Sequence, residues 1–440
     1  MKKSILGLLF VASSFSSHQT LAQRLLMDMV DTTNQMGKGM LSIYHRYNRL
    51  RVSGYIQPQF QFVSGKGAES YSGGNFSELS NNRFMLRRGR FRLDYAHLNE
   101  KEETTSYFVF QFDGTERGVA IRDFWGRIYE NKFKLFYFTT GMFARPFGHE
   151  VNLSSANRES PERGRMSQIL MKTERDIGFM VSVNDRRKGS RFGDLKLDLG
   201  IFNGQGMAGP VDYDSHKDLI GRLTLTPTKI IPRSGVKLSA GISGYLGGIT
   251  SQSAVMYRTV RNQNQYVVRR DSSARNYLRA APRKYAGADF QLVFPNRNGT
   301  TEFRAEYMFG QQSAMALSSE TPGTYPVSNG SKAPLYVRNF DGAYFYFIQS
   351  LGSKDHQLLL KYDWYDPNNR VSGKQIAAAD GFTKADLRYD SFGGGYVYYA
   401  NPTLKFTVFY DFVRNEKSGL PAYLNDVSDD VLTCRVQYSF

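Results

Sequence analysis

The chain has a single cysteine, Cys434, so no disulfide can form within it. It has no run of about 20 consecutive apolar residues, the length a membrane-spanning helix requires. Its six histidines are His18, His45, His97, His149, His216 and His356, and no two stand at a metal-ligand spacing. There is no GxSxG elbow and no phosphate-cradling P-loop. No long helix-period segment separates one candidate strand from the next, which excludes an α/β fold. The chain is therefore expected to be no enzyme and to use no cofactor and no metal.

What is present points outward from the cell. Lys2 and Lys3 precede an apolar run from Ile5 to Ala12, and Thr20-Leu21-Ala22 follows. That is the pattern of a secretory signal peptide over residues 1–22, cut after Ala22. Residues 23–50 carry loosely helical apolar spacing interrupted by Gly37 and Gly39, and read as a partly helical periplasmic extension. The formal charge of +17 falls to +15 once Lys2 and Lys3 are removed, a balance that suits anionic partners. Export argues against nucleic acid and leaves small anions or lipopolysaccharide. Aromatics make up 14% of a chain whose mean hydropathy is only -0.45. Membrane barrels combine these features, because every second wall residue meets lipid and aromatics girdle both interfaces.

From Arg51 onward the chain reads as strands. The most informative is RFMLRRGRFRLDY at 83–95. Arg88, Arg90, Arg92 and Asp94 fall on one parity, and Phe91, Leu93 and Tyr95 on the other. Three guanidiniums in a row repel one another, and a watery lumen with anions moving through it accommodates them. Strands 119–130 and 133–143 carry aromatics on both parities, which leaves their facing open. The last strand alternates Leu432, Cys434, Val436, Tyr438 and Phe440 with Thr433, Arg435, Gln437 and Ser439. Bacterial barrels close on such a strand, and its terminal Phe440 is what the barrel-assembly machinery would read. Sixteen candidate strands can be counted between Arg51 and Phe440. The expected fold is all-β, a transmembrane antiparallel barrel of about that size over 51–440, in the outer membrane of a bacterium.

The order and spacing of several segments resemble the phosphate-selective porins O and P. These are the 83–95 strand, Arg122-Asp123 within IRDFWGRIYE, GMFARPFG at 141–148 and IFNGQG at 201–206. GRLTLTP at 221–227, FRAEYMFG at 303–310, KYDWYDPNN at 361–369 and CRVQYSF at the end complete the series. The resemblance implies a sixteen-stranded outer-membrane barrel, usually a homotrimer, that passes anions such as phosphate. It also implies that a long loop, here 147–175, folds inward as a constriction.

The candidate anion path consists of Arg88, Arg90 and Arg92, with Arg145, Arg222, Arg304, Lys361 and Arg435 added from other strands. Fixed positive charge in a narrow pore concentrates anions, and several spaced sites conduct better than one tight one. The alternative reading pairs these cations with acids across the wall, where they only stiffen it. In the constriction candidate, Arg158, Arg163, Arg165, Lys172 and Arg175 outnumber Glu150, Glu159, Glu162 and Glu174 by one. A solvated, salt-bridged loop is the competing account. The arginine-rich insertion at 249–283 suits surface polyanions or lipopolysaccharide, though such a run is more often an exposed, mobile loop, and outer-membrane lipid is the expected partner of the wall. Two other function classes stand beside the porin: a non-conducting structural or partner-binding barrel, and a barrel hydrolase built on Asp94 and His97.

Overall fold

The computed structural model describes residues 49–187, 189–208, 212–231 and 234–440. The expected signal peptide and residues 23–48 of the expected extension lie outside the described residues. Strand chemistry sets the architecture, since β-branched and aromatic residues alternate with charged ones over most of the chain.

The first nine strands are β1 (Leu50–Val63), β2 (Asn82–Leu98), β3 (Thr104–Thr115), β4 (Gly118–Tyr129), β5 (Phe136–Ala144), β6 (Arg175–Asn184), β7 (Leu195–Phe202), β8 (Asp218–Ile231) and β9 (Val236–Thr250). A hairpin of β10 (Met256–Asn262) and β11 (Gln265–Asp271) precedes β12 (Ala280–Asn296) and β13 (Gly299–Ala314). The short pair β14 (Val327–Ser328) and β15 (Ser331–Lys332) lies apart from the main sheet. The series ends with β16 (Leu335–Leu351), β17 (Ser353–Asp366), β18 (Tyr389–Asn401), β19 (Leu404–Asn415) and β20 (Val431–Ser439).

Leaving out β10, β11, β14 and β15, sixteen strands among the described residues pair in sequence, each antiparallel to the next, and β20 returns to β1. The ring is closed by Phe60 opposite Cys434 and Gln59 opposite Arg435, and by reciprocal backbone bonds between Gly54 and Phe440 at 3.0 and 3.1 Å. Closure leaves no unpaired edge, as a wall in lipid requires. Long connections gather at one end, among them 64–81, 145–174, 315–334 and 367–388. Short turns such as 297–298 and Gly352 gather at the other.

The outer surface is apolar. Phe91, Phe179, Ile201, Ile242 and Phe392 are all exposed, each on the parity that points away from the lumen. Stacked Phe345, Tyr362 and Trp364 form part of an aromatic belt. Inward positions are polar and buried, including Arg90, Asp94, Asp123, Asp198, Arg222 and Arg435.

Two irregularities break the alternation. In β4, Gln111 pairs with Asp123 while Phe112 pairs with Ile121, so Arg122 is an extra bulge residue. Arg122 and Asp123 therefore both reach into the lumen, and Ile121 and Ile128 both lie outside although their parities differ. This explains the mixed parity of strand 119–130 in the sequence. In β2, Arg87 and Arg88 are consecutive yet both bind Glu162, which marks a second slip.

Candidate functional site

The connection from Arg145 to Glu174 enters the barrel. Its sequence is polar, but Phe147, Val151, Met166, Ile169, Leu170 and Met171 within it are all buried. They pack on inward-facing Ile220, Tyr245, Tyr285, Met308, Tyr344 and Phe409 from the wall. Part of that packing is a six-residue helix, α1 (Arg165–Leu170). An inward apolar patch is unusual in a water-filled barrel, and the loop is what buries it.

Polar contacts fix the loop against the same side. Glu306 of β13 accepts hydrogen bonds from the backbone N–H groups of His149 (2.9 Å) and Glu150 (3.1 Å). Glu150 in turn accepts from the Gly164 N–H at 3.0 Å and the Tyr346 hydroxyl at 2.8 Å. Asp363 accepts from the Arg165 N–H at 3.0 Å. The Lys405 ammonium donates to the carbonyl of Ala156 at 2.7 Å, and Tyr55 shares a 2.7 Å hydrogen bond with Ser155. These anchors come from β1 and from β13 to β19. The space left open runs along β2 to β8 in its lower part and spreads above towards Tyr365, Leu387 and Tyr389.

Two cavities occupy that space. The upper one, towards the long loops, has a volume of about 660 Å³ and is lined by eight Lys or Arg side chains and five carboxylates. The lower one measures about 340 Å³ and has five cations against two carboxylates. In each lining, cations therefore outnumber carboxylates by three, before Asp94 and Asp289, the partners of Arg92 and Arg222, are counted. Arg90, Arg122 and Glu174 line the upper cavity, and Arg92, Asp123 and Arg175 the lower. Arg122 and Arg175 both bind Glu174, and Arg175 also binds Asp123, so ion pairs run from one lining to the other.

The residues singled out in the sequence divide between the two sides. Arg88 lines the upper cavity and binds Glu162 at 2.9 Å. Arg90 lies there too, 3.2 Å from Asp113. Arg92 and Arg222 line the lower cavity, paired with Asp94 at 2.7 Å and Asp289 at 2.6 Å. Arg145 ties the two ends of the loop together, through its N–H to the Glu174 carbonyl (3.1 Å) and its guanidinium to the Thr173 carbonyl. Arg304 grips Glu159 of the loop at 2.7 Å, and Lys361 holds Asp363 at 2.9 Å. Arg435 reaches the Pro161 carbonyl at 2.6 Å and Glu162 at 2.8 Å.

Within the loop, Arg163 binds Glu174 at 2.9 Å, and Lys172 reaches Glu320 at 2.6 Å. Arg175, the first residue of β6, binds Asp123 at 3.2 Å. Arg158 is buried, with its Nη2 donating to the Pro161 carbonyl. Arg165 forms no carboxylate pair among the described residues; its guanidinium lies 3.5 Å from the ring centre of Tyr389 and 4.7 Å from that of Tyr71.

Arg87, Arg122, Arg127, Lys196 and Lys384 complete the basic lining. Arg87 and Arg122 enter through the two slips in alternation. Arg127 sits over the Tyr137 ring at 4.6 Å and donates to Thr139 at 2.9 Å, with no acid partner among the described residues. Its inward parity follows once the bulge at Arg122 is known.

Burial alone would raise the carboxyl pKa of Glu162, but Arg87, Arg88 and Arg435 outweigh it and hold the group well below its ordinary range. Arg163, Arg122 and Arg175 do the same for buried Glu174. Both acids are therefore ionised and committed to holding the loop. Asp94 binds Arg92 and accepts from the Tyr107 hydroxyl at 2.6 Å, while His97 is exposed on the other parity.

No protein-family profile matches the chain, and no curated protein sequence matches it. Solved structures do. Pseudomonas putida OprB superposes with a TM-score of 0.57 at 9% identity, covering 93% of this chain and 98% of that one. The fold is that of an outer-membrane porin. The outer membrane channel DcaP of Acinetobacter baumannii gives a TM-score of 0.50 at 12% identity, over 89% of this chain and 97% of that one. Salmonella typhi OmpF gives a TM-score of 0.50 at 11% identity, with the same two coverages. At these identities the porin fold is shared and the lumen residues of this porin-type barrel must be read on their own.

Proposed function

We propose that the barrel is a passive outer-membrane channel for small anions, phosphate and other oxyanions among them. The observation that carries this reading is the shared sign of the two cavities. In both cavities the lining holds three more cations than carboxylates. A low-dielectric passage with fixed positive charge concentrates anions and repels cations. Most guanidiniums along it are already paired, which favours transit, since each holds a passing anion only partially. On this reading Arg88, Arg90, Arg92 and Arg222 belong to the path, together with Arg87, Arg122, Arg127, Arg175 and Lys196. Arg145, Arg304, Lys361 and Arg435 serve it indirectly by keeping the loop in place.

The test is the reversal potential of single channels in planar bilayers under a KCl gradient. Chloride is expected to be favoured over potassium. Replacing Arg88, Arg90 and Arg92 together with neutral residues is expected to weaken that preference. A preference for potassium in the unaltered protein would overturn the proposal.

A further inference from the structure

The ion pairs of the lumen leave one cation over in each cavity. Seven of the eight Lys and Arg side chains lining the upper cavity lie within ion-pair distance of a carboxylate. Among the described residues, Arg165 is the one that does not. Four of the five lining the lower cavity are paired in the same way, and Arg127 is the exception among the described residues.

Both exceptions are held by aromatic rings. Arg165 is only 8% exposed, and its guanidinium lies 3.5 Å from the ring centre of Tyr389 and 4.7 Å from that of Tyr71. The Tyr71 ring is itself pinned, its hydroxyl donating to Glu320 at 3.0 Å. The Asp429 charge acts on Arg165 from beyond ion-pair distance. Arg127 lies 4.6 Å from the ring centre of Tyr137 and 5.0 Å from that of Trp125, and its Nε donates to Thr139 at 2.9 Å.

A ring attracts a cation over its face and orients it without cancelling its charge. The N–H groups along the guanidinium edge, which make bidentate bonds to an oxyanion, stay free of that contact. In a paired arginine such as Arg222 they are taken: its two Nη groups donate to Asp289 at 2.6 and 3.0 Å. A buried cation without a counter-charge is also costly, and an arriving anion lowers that cost.

We infer that Arg165 and Arg127 are two oxyanion-docking stations in series, one in each cavity, each recognising a group that presents two oxygens on one atom. This rests on the anion-channel reading and deepens it. The paired arginines supply a positive field, and these two supply the contacts that tell an oxyanion from a spherical halide. Two stations suit conduction better than one, since an ion handed from site to site is released from each.

The test titrates inorganic phosphate against a chloride current through the full-length protein in planar bilayers. Phosphate is expected to reduce that current in the unaltered channel. Arg165→Lys and Arg127→Lys keep the charge but lose the planar fork, so each is expected to raise the half-blocking concentration about ten-fold. No block of the unaltered channel, or an unchanged value in either variant, would overturn the two-station assignment. Tyr389→Leu tests the upper station without altering the sequence of the inserted loop. The same direction of change is expected, and unchanged block would overturn the role given to the ring. The chloride-to-potassium reversal potential, measured on the same channels, should stay in place in the lysine variants. Chloride preference with unchanged block sinks this inference alone, whereas potassium preference in the unaltered protein sinks the channel reading beneath it.

Discussion

The Glu162 carboxylate lies 2.8 Å from the guanidinium of Arg435. One residue belongs to a loop inserted after the fifth strand, the other to the strand that closes the barrel. The same carboxylate also holds Arg87 and Arg88 of β2, so it joins three chain segments inside the lumen.

Glu162→Gln is expected to loosen all three. Removing one member of a buried ion pair typically costs about 3–5 kcal/mol, because the remaining charges are left uncompensated. The thermal midpoint of the detergent-solubilised protein should fall, and single-channel current should rise or become noisy. An unchanged midpoint with an unchanged current would show that the other anchors hold the loop without Glu162.

Acid should act in two stages. Burial pulls the His149 pKa from 6.5 down to about 4, so the folded protein keeps this imidazole neutral where the unfolded chain protonates. Stability should therefore start to fall as pH drops below 6.5 and level off near 4. Glu162 and Glu174 act in the opposite order, since their folded pKa values lie below the unfolded ones. Their contribution is complete above about 4.5 and is lost only as pH falls through the depressed values. Thermal midpoints across this range should show both stages, and His149→Gln should remove the first and leave the second.

Gly148→Ala should displace the loop from β13. Gly148 has φ +68°, and an added Cβ would collide with Glu306 Oε1 and lie 2.6 Å from Met308 Cε. Left-handed backbone and close approach together cost about 1–3 kcal/mol. Conductance above that of the unaltered channel, with a lower thermal midpoint, is the expected result. A normal channel would mean the turn can relax without moving its neighbours.

Arg127→Gln combined with Lys196→Gln removes two of the five cations of the lower cavity. The chloride-to-potassium permeability ratio should drop roughly two-fold or more, from the loss of fixed charge. Neither residue contacts the loop through an ion pair, so the thermal midpoint should move little. An unchanged ratio would remove Arg127 and Lys196 from the selective step.

The wall was legible in the sequence because lipid imposes a strict period of two. The alternation from Leu432 to Phe440 places each residue on the side where it is found. The sixteen candidate strands correspond to the sixteen strands of the ring. Where the period fails, reading fails with it: the bulge at Arg122 conceals the facing of Arg127, since an inserted residue leaves no mark on composition. The anchoring of the loop was also hidden. Glu150 and Tyr346 meet across 196 positions, and nothing local to Arg304 distinguishes a cation gripping Glu159 from one facing open water. The apolar side of the loop was missed for a related reason. Phe147, Val151, Met166 and Ile169 follow neither a strand period nor a long helix period, and only the patch they cover explains them.

Because the loop leans on β13 to β19, the chain divides its labour along its length. Strands encoded before residue 231 present their charges to whatever passes, while those encoded later mostly brace an internal strut. Arg127 and Lys196 carry lumen charge without an ion pair to the loop, whereas Arg87, Arg88 and Arg122 carry charge and grip the loop at once. Charge and loop position are thus separable at the lower cavity and tied together at the upper one.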